Sequence, residues 1–434
     1  MNNNSYYPLY FFQAYLSIIL LFYLFGPWNF TNSNTAQTTL YLLTSQVFIG
    51  VGYILGVKSQ KKLDLNYKSS KFKDLAGIKF IRQGILVNFL LFIPLSLSRT
   101  GDIFPNTIFS LFHPGDAYLQ NYHRLLNGNS FVFAEYLRSF LSPWAIGILP
   151  VLIIYWQSVT KFYKALAVVC IFLNITLYIA TGTNKGIADF AVIFPWFFIL
   201  YKINSKDGLK FNIKYALLFS LIFFMFIIFF VLAMKGRGVS TSDFDLGREI
   251  FTPSKSTLLS SLPVSLQVGY LSLVRYLCQG YYALSLCFSL EHTWTFGFGN
   301  SMVLARNADI FFDTNFFQIN SFPGMLESTY GYSREGLWHS VYPWLASDFG
   351  FFGALIVIGF FSFLLALTWC RVIAFKRPFE VTLLYLLIVF FYYIPANNQI
   401  FQSLETLICF NICFIVFLYS IFFSKINFFK KRRY

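Results

Sequence analysis

The chain has 434 residues, of which 57% are hydrophobic and only 12% charged, and its formal net charge is +15. A soluble domain carries about twice that share of charged residues. The apolar residues here stand in long uninterrupted blocks, which excludes an ordinary water-soluble globule and points to the bilayer. The basic excess alone would also suit nucleic acid, but its distribution along the chain favours anionic membrane lipid.

The first ten residues, MNNNSYYPLY, contain no Lys or Arg. No small-residue cleavage site follows the first apolar run, so residues 9–28 are expected to be a retained span and not a signal peptide. Further apolar stretches lie at 39–57, 83–98, 139–158, 165–182, 187–201 and 215–234. After a long interval come 349–369, 381–396 and 406–423. Those at 83–98, 187–201 and 381–396 are short for about 30 Å of hydrocarbon and would recruit flanking residues. The expectation is an all-α polytopic membrane protein of about ten transmembrane helices.

Residues 256–290 are less apolar, and parity decides how to treat them. If they do not span and the N-terminus is inside, the inner loops collect 22 of the 33 Lys and Arg residues and four of the 18 carboxylates. That is a positive-inside pattern with both termini cytoplasmic. A single crossing there would move Arg371, Lys376, Arg377 and the KKRRY tail outside. Residues 256–290 are therefore expected to hold a re-entrant or interfacial amphipathic helix near 263–290. The chain divides into 1–234 (spans 1–7), a long extracytoplasmic loop over 235–348, and 349–434 (spans 8–10 and a basic tail). The six cysteines lie in or beside apolar segments with no disulfide or zinc spacing.

Chemistry is expected on the outer face, because all four histidines and 14 of 18 carboxylates fall there. Ser272, Arg275, Gln279, Tyr282, Ser285 and Ser289 recur in steps of three and four, so they share one helical face. An arginine at such a depth needs water, a partner or a ligand. Arg275 would contact an anionic substrate group or an outer-leaflet phosphate. Lys235, Arg237 and Arg248 follow the seventh span, where cations are normally sparse. Lys185 sits in the tight turn TGTNKG. Tyr281, Tyr282, Trp338 and Trp344 could stack on sugar rings or form an interfacial belt. Asp102, Asp116, His113 and His123 in the first outer loop are secondary candidates for sugar hydroxyls. The pair Asp243 and Asp245 is too little to hold a metal alone, and no cofactor is expected.

The segment HSVYPWLASDFGFFG, with His339, Tyr342, Asp348, Gly350 and Gly353, leads into a span. It resembles the signature of the O-antigen polymerase and ligase superfamily. The TGTNKG turn is similar to that family's small-residue turn, with Lys185 where Arg is usual. The many spans and the long late outer loop match as well. The resemblance implies a GT-C-like glycosyltransferase architecture and no metal. It also implies an undecaprenyl-pyrophosphate-linked oligosaccharide as donor and acceptor, with membrane lipid and a chain-length regulator as partners in a bacterial inner membrane. The Phe- and Tyr-rich composition and the 271–290 helix favour the polymerase branch. The ligase branch, with lipid A-core as acceptor, is the alternative, and a lipid-linked oligosaccharide flippase is the second. In the implied mechanism Arg275, Arg237, Lys185, Arg248 and Arg306 stabilise the leaving pyrophosphate. His339 accepts the acceptor hydroxyl's proton, with Tyr342 on the same helical face. Asp348, nine residues after His339, points away from it.

Overall fold

A computed structural model describes residues 3–63, 72–126, 131–203, 213–236, 243–254, 261 and 263–431. Among them, eight helices are long and apolar enough to cross a bilayer. They are α1 (Tyr7–Phe25), α2 (Thr35–Leu63), α3 (Phe72–Thr100), α8 (Lys161–Ala180), α9 (Lys185–Ile203), α10 (Ile213–Gly236), α15 (Val341–Phe375) and α17 (Leu404–Lys431). Large apolar side chains such as Ile18, Leu21, Leu86, Phe172, Phe224 and Ile415 stay exposed on them. A surface of that kind suits lipid. The protein is an all-α multi-pass membrane protein, with one small hairpin as its strand pair among the described residues.

The expected span at 139–158 takes a different form. It is a bent pair, α6 (Val132–Phe140) and α7 (Ser142–Ile154), meeting at 57°. Pro143 lies in the first turn of α7 and has no N–H to give the carbonyl of Ser139. The Ser142 hydroxyl donates to that carbonyl instead, at 2.6 Å. The expected span at 381–396 becomes α16 (Pro378–Tyr393), a shorter apolar helix of 16 residues.

The chain folds as two compact units. The first combines Met1–Lys58, Val239–Leu367 and Leu387–Ser403; the second combines Ser59–Gly238, Thr368–Leu386 and Leu404–Tyr434. In the first unit α2 and α15 approach through glycines. A Cβ on Gly52 would sit 2.0 Å from the Gly359 carbonyl oxygen, and one on Gly56 2.4 Å from that of Phe363. This G-x-x-x-G spacing lets two backbones meet without side chains between them. Ser362 seals the contact by donating to the Ile49 carbonyl at 2.7 Å.

The rest of the first unit is built on α11 (Val264–Cys287), which is not among the helices apolar enough to span. It packs on the C-terminal half of α1 and the residues after it. The Cys278 thiol faces the Ile19 carbonyl, Tyr281 meets Tyr23 edge-on, the Trp28 indole donates to the Leu271 carbonyl, and the Asn32 amide donates to Ser285. These contacts hold α11 at one end of α1. The hairpin β1 (Phe244–Leu246) and β2 (Glu249–Phe251) lies against it, turning at Gly247 with φ +71°. Three short helices, α12 (Met302–Phe312), α13 (Phe316–Asn320) and α14 (Phe322–Tyr330), complete the loop.

In the second unit α3 packs on α7 and α8, and Asn174 of α8 donates to Asn88 of α3 at 2.7 Å. Two further helices, α4 (Thr107–Phe112) and α5 (Pro114–Leu126), follow α3. Gly115 lies so close to Gly236 that any side chain there would collide with backbone.

Candidate functional site

The signature segment assembles differently from a continuous helix. α15 begins at Val341, so His339 precedes it and does not share a helical face with Tyr342. Gly350 breaks the helix with φ +65° and ψ 171°, leaving a short first piece before the span proper. Asp348, at the end of that piece, gathers the loop before α12. Its Oδ1 accepts from the Thr295 hydroxyl at 2.5 Å and the Gly297 amide at 2.9 Å. Its Oδ2 accepts from the Asn300 amide and side chain, each at 2.7 Å. A carboxylate holding four donors fixes that loop. Asp348 does not serve His339, as the spacing suggested.

His339 is only 1% exposed. Its ring lies against Tyr332 at 4.9 Å and Trp344 at 6.0 Å. Nε2 faces the Ser333 carbonyl at 3.2 Å, which assigns the ring proton to Nε2. Nδ1 is then a bare acceptor, buried and without a partner among the described residues. Burial lowers the imidazole pKa to about 4, against a smaller opposing effect of the Ser333 carbonyl, so the ring is neutral near pH 7. The Tyr342 hydroxyl is held separately, 2.9 Å from Ser45.

Arg275 sits half-buried on α11 with its guanidinium 4.2 Å above the Phe244 ring of the hairpin. It also makes a long contact, 3.5 Å, to the Gln279 side chain, and Tyr276, Tyr332 and Asp245 lie within its electrostatic reach. Among the described residues no carboxylate reaches ion-pair distance of it, although Asp245 of the hairpin acts on it from further off. Burial holds its pKa below the ordinary guanidinium value, yet the group stays charged. An aromatic face compensates a desolvated cation only in part. Arg248 stands exposed at the hairpin tip, where its backbone amide donates to the Tyr330 carbonyl at 3.0 Å. Tyr332, two residues after Tyr330, lies within the electrostatic reach of Arg275. Its hydroxyl donates to the carbonyls of Gln279 and Trp338, at 3.2 and 2.9 Å. Gly280 permits this assembly, because a Cβ there would lie 2.2 Å from the Pro395 carbonyl oxygen and 2.6 Å from the Ser340 nitrogen. Arg275, the Arg248 hairpin, Tyr332 and His339 thus form one connected cluster.

Other expectations fare differently. Tyr281 and Tyr282 are buried against Tyr23, Phe30 and Phe251, so neither offers an open face to a sugar. The Tyr282 hydroxyl donates to Glu249 at 2.5 Å. The polar stripe of α11 holds its neighbours, with Ser285 and Ser289 receiving the amides of Asn32 and Asn34. Trp338 is half-buried between Tyr276 and Tyr393. Arg306 is exposed on α12. Lys185 begins α9 in the second unit, after a turn in which Gly182 takes φ +61°. Arg237 lies outside the described residues. Among those residues, no group of three His, Cys, Asp or Glu side chains could hold a metal.

The sequence reading missed a charge network in the second unit. Arg99 grips Glu135 with two bonds of 2.9 and 2.8 Å. Arg138 donates to Glu405 at 2.9 Å and to Asn174 at 3.2 Å. Glu405 also lies 3.9 Å from Arg99. These four charges come from α3, α6 and α17, too far apart in sequence to read as a group. Their placement at the ends of apolar stretches was the available signal. Comparisons with protein-family models, curated proteins and solved structures find no match for this chain.

Proposed function

We propose that this protein is an O-antigen polymerase with a GT-C-like architecture. It moves a glycan chain from undecaprenyl pyrophosphate onto a new lipid-linked repeat unit at the periplasmic face of a bacterial inner membrane, with both termini cytoplasmic. The observation that carries this reading is Arg275, a half-buried guanidinium over Phe244 with no carboxylate at ion-pair distance among the described residues. A pyrophosphate leaving group needs such a charge, and a guanidinium meets phosphate oxygens with two parallel donors. Arg248, on the hairpin that carries Phe244, supplies a second cation.

In the transfer, the bond from the anomeric carbon to pyrophosphate breaks and a new bond to an acceptor hydroxyl oxygen forms. The hydroxyl proton passes to Nδ1 of His339, the unpartnered ring nitrogen, and the pyrophosphate stays on its lipid. Because His339 is buried, residues 333–340 must open to admit the acceptor. A chain-length regulator is the partner this activity calls for.

Deleting the protein is expected to leave lipopolysaccharide bearing a single repeat unit, seen as one band above the core on a gel. Arg275→Ala restored to that strain should give the same band at normal protein levels. A core with no O-antigen at all would indicate ligation or flipping, and a full ladder from Arg275→Ala would remove Arg275 from the site.

A further inference from the structure

The second unit contains a polar cavity of about 260 Å³ between the end of α3, the helices α4 and α5, and the end of α8. Its polar walls come from Arg99, Asp102, Asn106, Gln120, Asn121 and Arg124. Buried polar groups in proteins are nearly always hydrogen-bonded. Asp102, Asn106 and Gln120 face solvent at the rim, but the half-buried Arg124 breaks that rule. Arg124 is anchored by one arm, Nη2 donating to the Leu97 carbonyl at 2.7 Å. Its Nη1 is shielded from solvent and has no partner among the described residues. The side chains of Gln120 and Asn121 make no hydrogen bond with the described residues. Among those residues the Asn106 side chain uses only its Oδ1, to cap α4 at the Phe109 amide.

The charges in the cavity are matched. Arg99 is already committed to Glu135 by two bonds, which leaves Arg124 and Asp102 as one cation and one anion. The open groups are therefore a mixture of donors and acceptors with no net charge. Phe109, lying flat on His113 at 4.7 Å, adds an aromatic wall. Gly101, with φ +87°, keeps the space beside Arg124 clear, since a Cβ there would meet Nη1 at 2.6 Å. A bare phosphate would leave the amides idle and face Asp102. An apolar chain would strand every polar group. A sugar ring presents hydroxyls that both donate and accept, and a face that stacks on an aromatic side chain.

We infer that this cavity is a glycan subsite that holds one sugar residue through its hydroxyls, with Arg124, Asn121 and Gln120 as its principal contacts. It rests on the proposed polymerase reading, in which it holds a sugar of the lipid-linked repeat or the growing chain. The cluster at Arg275 does not include it.

Saturation-transfer NMR on the full-length protein in detergent micelles tests it directly. The probes are the methyl glycosides of glucose, galactose, N-acetylglucosamine, rhamnose and glucuronic acid. At least one should receive saturation from the wild type. Its affinity should fall about tenfold or more in Arg124→Met, the loss of one hydrogen bond to a charged group. Asn121→Leu, at a half-buried position whose side chain makes no hydrogen bond among the described residues, is the second variant and should weaken the same glycoside. The inference is overturned if no glycoside gives a signal that either variant weakens. It is equally overturned if inorganic phosphate binds at Arg124 in place of the sugars. Binding that depends on Arg124 in a protein that makes no polymer from lipid-linked repeats would sink the polymerase and leave the subsite. Polymer synthesis without such binding would sink the subsite alone.

Discussion

Apart from Arg124, the arginines described in the two units are treated in opposite ways. In the second unit, Arg99, Arg138 and Arg371 each hold a glutamate at 2.9 Å or less, and the Arg371–Glu380 pair is 2% and 1% exposed. In the first unit Arg248, Arg275 and Arg306 have no such partner among the described residues, and the nearest approach to a pair is Arg334 with Glu327, at 3.9 Å. A charge taken out of water is costly unless it is paired and hydrogen-bonded. The paired arginines therefore tie helices together. The unpartnered ones keep their donors for something outside the chain. The contrast separates positions that hold the fold from positions available to a ligand.

The largest effect should come from breaking a pair. Glu405→Ala leaves the buried Arg138 charge uncompensated and should lower unfolding stability by about 3–5 kcal/mol, measured by denaturant titration in micelles. Joint replacement by Arg138→Met and Glu405→Leu should recover most of it. A neutral Glu405→Ala would erase the distinction between the units.

Asp348 tests the same idea inside the first unit, where a carboxylate holds loop donors instead of a cation. Asp348→Ala strands the donors of Thr295, Gly297 and Asn300 and should cost about 2–3 kcal/mol. Residues 288–301 should then be cut faster in limited proteolysis. Unchanged cleavage would deny Asp348 its role as the pin of that loop.

His339 gives a pH signature. Its folded pKa of about 4 lies below the ordinary histidine value near 6.5. The unfolded chain therefore takes up a proton first as the pH falls. The full stability is present above about pH 6.5 and is lost as the pH drops towards 4. Between pH 7 and 5 the loss should be about 2 kcal/mol, and His339→Gln should flatten that part of the profile. An unchanged profile in the variant would mean that the ring is not buried neutral.

The smallest stability effect belongs to Arg275. With an aromatic face, one long hydrogen bond and a distant Asp245 to lose among the described residues, Arg275→Met should shift unfolding by about 1 kcal/mol or less. Chain growth should nonetheless disappear. A large destabilisation would place Arg275 with the structural pairs.

The ten apolar stretches were legible in the sequence because hydrocarbon imposes one simple demand, a run of apolar residues long enough to cross it. The lower apolarity of 256–290 was legible too, and α11 within it is not among the helices apolar enough to span. The G-x-x-x-G at Gly52 and Gly56 could have been read as a packing face, but nothing local identified Gly359 as its partner. Only the tertiary structure decided which charges are paired. Arg138 and Glu405 are 267 residues apart, and no periodicity connects them. It likewise decided that His339 is buried with one bare nitrogen, that Tyr281 and Tyr282 are packing residues, and that Arg275 stands over Phe244. Burial and pairing depend on neighbours from distant parts of the chain. A sequence states which side chains can bear charge, and the fold decides which of them remain unanswered.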